Sequence, residues 1–167
     1  MPLTKPVTAL IFDWGDTVMR DYGLPGPMAR WEKVDWVPGA ETALKVLAQN
    51  YTCVIATNAG HSDTGEMIAA LQRIDADKYF RYFFSSKELG YEKPDPRFFI
   101  AVTEKSGLKP ERCVMTGNLY EKDIVGAKEA GMQTIFFNEK NIPGKYPKAD
   151  VIISSMEQLL KVIPEKK

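Results

Sequence analysis

Two cysteines and a single histidine are all the thiol or imidazole ligands that this 167-residue chain contains. Cys53 and Cys113 both lie inside apolar, strand-like runs, so they read as buried free thiols, not as a disulfide or a nucleophile. With His61 alone in a polar loop, no zinc site is built. Charge of one sign is missing too. Lys plus Arg and Asp plus Glu number 22 each, which removes the global field that would draw nucleic acid to the chain, although a local basic pocket stays open to it. The C-terminal Pro164-Glu165-Lys166-Lys167 carries too few like charges for a basic patch and reads as a solvated tail. No apolar run is long enough to span a membrane. The one near the N-terminus is cut by Asp13 and is too short for a signal peptide's apolar core. Repeats and low-complexity segments are absent. These absences leave a cytoplasmic protein without nucleic-acid or membrane partners, and 44% hydrophobic residues suffice for one substantial core in a single domain over 1–167.

What is present alternates between strand and helix signals. The run Leu10-Ile11-Phe12 reads as a buried strand stopping at Asp13, with Gly15 in the turn that follows, so Asp13 is displayed at the sheet's edge. After the Gly- and Pro-rich stretch from Met19 to Val37, Ala40, Ala43, Leu44 and Leu47 mark one helix face. Tyr51 to Ala56 is a second strand, ending in Thr57-Asn58-Ala59-Gly60. Ser62 or Asp63 caps a helix carrying Met67, Ile68, Leu71 and Ile74. Tyr82-Phe83-Phe84 is a third strand. Lys93-Pro94-Asp95-Pro96 predicts an extended loop, then a helix with Asp95 as cap and Pro96 as its first residue. Cys113 to Thr116 is a fourth strand, broken at Gly117, and a helix from about Glu121 ends before Gly131. Thr134 to Phe137 and Val151 to Ile153 complete six strands. The alternation predicts an α/β fold, a three-layer Rossmann-like parallel sheet with helices on both faces.

Four short motifs fall at the loops of this pattern. Asp13-Trp14-Gly15-Asp16-Thr17 ends the first strand, and Thr57-Asn58 ends the second. Lys93 precedes Pro94, and Gly117-Asn118 is followed by Asp123. Taken singly each is ordinary: turn chemistry, helix capping, a solvated lysine, an acidic first helical turn. In this order and spacing they resemble the haloacid dehalogenase-like (HAD) hydrolases over nearly the whole chain. The resemblance implies a sheet with the first strand central, the second and third on one side and the fourth and fifth on the other. Asp13, Thr57 and the Gly117 turn then meet at one rim.

The resemblance further implies a phosphatase in which Asp13 is the nucleophile and forms an aspartyl-phosphate, with Lys93 offsetting negative charge. Thr57 and Asn58 bind the phosphoryl group. Mg²⁺ is held by Asp13, the Gly15 carbonyl, Asn118 and Asp123. Two positions depart from the family pattern. Gly15 stands where a second aspartate acts as general acid, and Asn118 where another aspartate is usual. Asp16 is the nearest other carboxyl, but adjacent side chains point in different directions. The departures support a rival of another class, a weak or inactive HAD-fold protein that binds a phosphorylated ligand or protein, whereas the presence of Asp13, Thr57, Lys93 and Asp123 supports the enzyme. A dehalogenase or phosphonate-cleaving enzyme fits less well, because 19–38 is too short for more than a minimal cap. An open site suits a phosphorylated substrate, small or macromolecular, or completion by a second copy in a homo-oligomer. Trp14, Trp31, Trp36 and Tyr22 are residues for an apolar rim or for the core, and His61 for the surface.

Overall fold

A computed structural model describes residues 2–166, so Lys167 of the expected C-terminal tail lies outside the described residues. Six strands form one sheet: β1 Ala9–Phe12, β2 Thr52–Thr57, β3 Tyr82–Ser85, β4 Cys113–Gly117, β5 Gln133–Phe137 and β6 Val151–Ile153. Their order is β3-β2-β1-β4-β5-β6, every pair parallel. The expected central place of β1 is observed. Parallel strands need crossovers that bury both faces, and the alternation along each strand shows it. Leu10, Phe12, Cys53, Ile55 and Ile135 enter one core. Ala9, Ile11, Val54, Ala56, Cys113 and Met115 enter the other. Cys53 and Cys113 are free, lie on opposite faces and are separated by β1.

The first face is covered by α1 Ala40–Leu47, α2 Thr64–Arg73 and α6 Leu159–Val162, which contribute Leu44, Leu71 and Leu159. The second is covered by α3 Ser86–Leu89, α4 Pro96–Ser106 and α5 Gly126–Glu129, through Leu89, Phe98, Phe99 and Ala127. Asp63 caps α2, accepting from the Glu66 N–H while the Glu66 side chain returns to the Asp63 N–H. Asp95 caps α4 through the Arg97 N–H, with Pro96 first in the helix. No helix among the described residues is long and apolar enough to cross a membrane.

Two segments depart from expectation. The helix expected from Glu121 begins as a wide π-type turn, Tyr120–Val125, and only then continues as α5. The loop expected to be extended at Lys93-Pro94 is a tight turn in which the Asp95 N–H donates to Glu92 O at 3.0 Å. Between β1 and α1 the chain folds back over the first core. Trp14, Met28 and Trp31 are buried there, while Tyr22 and Leu24 stay exposed.

Candidate active site

The carboxyl ends of β1, β2 and β4 and the turn before α4 converge at one rim. Strand pairing runs one residue beyond β1, the Asp13 N–H donating to Thr116 O at 3.0 Å, so the backbone of Asp13 is held as firmly as the strand. Contrary to the expectation of a displayed carboxylate, Asp13 is 6% exposed. It lies in the wall of a pocket of about 170 Å³ lined also by Gly15, Asp21, Thr57, Asn58, Lys93, Leu119, Lys122 and Asp123. The ammonium of Lys93 explains how a carboxylate is kept there. Lys93 Nζ donates to Asp13 Oδ1 and to Asp123 Oδ1, both at 2.8 Å, and to the Ala56 carbonyl at 3.2 Å. All three side chains are buried.

Burial and the Asp13 charge push the Asp123 carboxyl up to about 6, against the pull of Lys93 and the Leu119 N–H. Burial alone would lower the Lys93 ammonium, but Asp123 and Asp13 outweigh it and hold it up at about 12. Two carboxylates thus face one ammonium, and the trio when fully ionised keeps an excess negative charge in a dry place, an arrangement that invites a further cation.

Two glycines permit this approach. A Cβ on Gly117 would overlap the Asp123 carboxyl group, and one on Gly126 would overlap the Pro94 carbonyl oxygen. Asp123 therefore packs against the end of β4, and the start of α5 against the Lys93 turn, at distances no side chain allows. Asn58 completes the fixture in a way its motif did not suggest. Its side-chain oxygen accepts from the Lys93 N–H at 2.8 Å and its side-chain N–H donates to the Lys93 carbonyl at 3.1 Å. The amide thus holds the lysine's backbone, not a ligand. Thr57 is buried beside the pocket, its hydroxyl donating to Asn58 O at 3.3 Å. The Thr17 hydroxyl lies 3.3 Å from Asn118 Oδ1 and 3.5 Å from Asp13 Oδ2, tying the first motif to the fourth.

All expected site residues are thus gathered at this rim. Reading the sequence missed Asp21 and Lys122, both exposed and both lining the pocket. Asp21-Tyr22-Gly23 carries an Asx-turn signal, realised as Asp21 Oδ1 accepting from the Gly23 N–H at 2.8 Å. Nothing in that signal says which site the turn faces. Asp16 is directed elsewhere. It lies at φ 56°, and its Oδ1 accepts from Arg20 and from the Asp21 N–H. His61 is exposed, as expected. Trp14 and Trp31 join both core and rim, bordering a cavity of about 320 Å³ beside the pocket.

Among the described residues no three His, Cys, Asp or Glu side chains converge as a metal cluster. The oxygens offered to a cation are the carboxylates of Asp13 and Asp123, with the neutral oxygens of Asn118 and the Gly15 backbone. Hard oxygens with no more than two carboxylates fit Mg²⁺, which keeps several waters and takes its remaining ligands from a bound phosphate.

The family model of the haloacid dehalogenase-like hydrolases matches residues 26–137, a stretch that includes Thr57, Lys93 and Asp123 but not Asp13. A glyceraldehyde 3-phosphate phosphatase of Pyrococcus furiosus is 32% identical over 136 residues, 76% of this chain and 54% of that protein. A ribulose-1,5-bisphosphate 5-phosphatase of Halopiger xanaduensis is 31% identical over 108 residues, 64% of this chain and 44% of the other. The chain spans about half the length, or less, of the curated relatives it matches. Among solved structures, the HAD-hydrolase YfnB of Bacillus subtilis superposes with a TM-score of 0.78 at 18% identity, covering 94% of this chain and 98% of that one.

Proposed function

The chain belongs to the haloacid dehalogenase-like hydrolases, and from that premise we propose that it is a Mg²⁺-dependent phosphatase acting through an aspartyl-phosphate on Asp13. The observation that carries this reading is the buried Asp13–Lys93–Asp123 trio at the mouth of the central strands. A carboxylate that only stabilised the fold would be satisfied by its lysine. Here one lysine is shared between two carboxylates beside an open pocket, as a nucleophile awaiting an electrophile and a second cation requires. The relatives named as phosphatases support a phosphorylated substrate.

In this mechanism Asp13 attacks phosphorus while Lys93 screens the charge that gathers between them. Thr57 and the exposed Lys122 face the non-bridging oxygens, and Asn58 keeps Lys93 in register. Mg²⁺, when bound, neutralises phosphoryl charge and orients the ester; Asp13, Asp123, Asn118 and the Gly15 carbonyl would hold it. Residues 19–38 serve as a minimal cover on a single catalytic unit, leaving the rim open to a small or macromolecular phosphate ester, or to a second copy of the chain. Free, buried thiols at Cys53 and Cys113 suit the reducing cytoplasm.

A second reading, a protein that binds a phosphorylated ligand without turning it over, is supported by the two departures from the family pattern, the glycine at position 15 and the asparagine at position 118. Assays of aryl phosphate hydrolysis with and without Mg²⁺ separate the two. Turnover that needs Mg²⁺ and vanishes in Asp13→Asn, with the melting transition preserved, is the expected result. Turnover undiminished in a pure Asp13→Asn preparation rules out the covalent mechanism, and no turnover by the native protein leaves the binding reading.

A further inference from the structure

An alkoxide is a poor leaving group, and a phosphatase acting on alkyl esters needs a proton donor at the bridging oxygen. Three carboxylates line the pocket around the nucleophile: Asp13, Asp123 and Asp21. The first two are committed to Lys93 at 2.8 Å each. Asp21 is not. Its Oδ1 is turned back to the Gly23 N–H, and its Oδ2 stands 3.5 Å from the point that a Cβ on Gly15 would occupy. The missing side chain at position 15 thus leaves a space that a carboxylate six residues further on comes up against.

Asp16 sets this placement without sharing in it. Its carboxylate accepts from the Asp21 N–H at 3.1 Å and from Arg20 at 3.2 Å. Arg20 is in turn anchored by two bonds of 2.9 Å to Glu139. Asp16 borders a separate cavity with Arg20 and Glu139, and not the nucleophile's pocket.

Two spaces meet beside Asp21. The pocket of about 170 Å³ over Asp13 and the cavity of about 320 Å³ walled by Trp14, Leu24, Met28 and Trp31 share Gly15, Asp21, Thr57 and Asn58. An ester with phosphorus over Asp13 and its organic part in the larger cavity has its bridging oxygen at that shared border. We propose that Asp21 is the general acid and base of this enzyme, an inference that rests on the phosphatase reading above. As Asp13 forms its bond to phosphorus, the P–O bond to the organic group breaks. The leaving oxygen takes that electron pair together with the proton of the Asp21 carboxyl, and an alcohol departs. Asp21, now a carboxylate, accepts a proton from the water that attacks the aspartyl-phosphate. The Asp13–phosphorus bond breaks, phosphate leaves, and both carboxyl groups return to their starting states.

The test compares kcat/KM for p-nitrophenyl phosphate, whose leaving group departs unaided, with that for ethyl phosphate, whose leaving group does not. This parameter reports the bond-breaking step. Asp21→Asn is expected to lower the ethyl phosphate value by roughly 10²-fold or more and the aryl value far less, with no change in the melting transition. Gly15→Asp added to Asp21→Asn should restore much of the ethyl phosphate activity. Gly15 is outside the left-handed region, and its Cβ would meet only Asp21, at ordinary contact distance. A ratio of the two rates that does not move in Asp21→Asn, while Asp13→Asn still abolishes turnover, overturns the inference alone. Absence of Asp13-dependent turnover of either ester by the native protein overturns the phosphatase reading and this inference with it.

Discussion

Among the described residues Lys93 is the only cation bonded to the two buried carboxylates, so its removal leaves like charges facing each other out of water. Lys93→Ala is expected to cost roughly 3 to 5 kcal/mol by urea denaturation in the presence of EDTA, with hydrolysis lost. Mg²⁺ should restore part of that stability, since it places positive charge at the same carboxylates. An equal loss with and without Mg²⁺ would show that the metal binds elsewhere. Asn118 tests the donor set from the other side. Its oxygen already faces Thr17 next to Asp13, so Asn118→Asp keeps the hydrogen bond and adds a charge. Titration calorimetry should show tighter Mg²⁺ binding in that variant and much weaker binding in Asp123→Ala. Identical affinities across the three proteins would place the cation away from the fourth motif.

At the scale of elements, the site depends on close approaches of backbone. The wide turn Tyr120–Val125 carries Asp123 inward, with the Asp123 N–H donating to Leu119 O at 2.7 Å, and such turns are common at functional sites. Gly117→Ala puts a methyl group into the Asp123 carboxyl, and Gly126→Ala puts one into the Pro94 carbonyl. Each should destabilise by roughly 1–3 kcal/mol, the range for overpacking, and each should reduce Mg²⁺ affinity or activity beyond what stability explains. Gly60→Ala is the control for stability, because its Cβ meets nothing within 4 Å and its φ is not positive. If all three melt alike, the packing of these two glycines is looser than described. The cap of α4 should behave more modestly. Asp95→Ala removes the acceptor for the Arg97 N–H and is expected to cost about 1 kcal/mol.

For the whole molecule, pH and metal should act against each other. The folded state raises Asp123 from 3.8 to about 6, so the native chain holds a proton that the unfolded chain releases. Stability from this group is therefore complete below about 4 and lost as pH rises through about 6. Mg²⁺ needs the ionised carboxylate, so its stabilisation grows over the same interval. Melting of the native protein in EDTA should fall relative to Asp123→Asn between pH 4 and 6.5, and saturating Mg²⁺ should remove or reverse that difference. Parallel curves in EDTA would mean that Asp123 titrates normally in the fold.

The amino-acid sequence by itself determined the six strands, the helices α1, α2 and α4, and the loops on which the functional residues ride. These follow from local causes: apolar runs of strand length, capping by Asp63 and Asp95, and glycines where strands end. Parallel pairing with β1 at the centre then brings Asp13, Thr57, Lys93 and Asp123 to one rim. Only the tertiary structure decided that Asp13 is buried, that Asn58 spends its amide on the Lys93 backbone, and that Asp123 sits in a π-type turn. Those outcomes depend on hydrogen bonds between residues 30 to 80 positions apart, and no local periodicity encodes such distances. Asp21 is the clearest case. Its neighbours specify an Asx turn and nothing more, whereas its place over Gly15 is set by Asp16, by Arg20 and, 119 residues beyond Arg20, by Glu139.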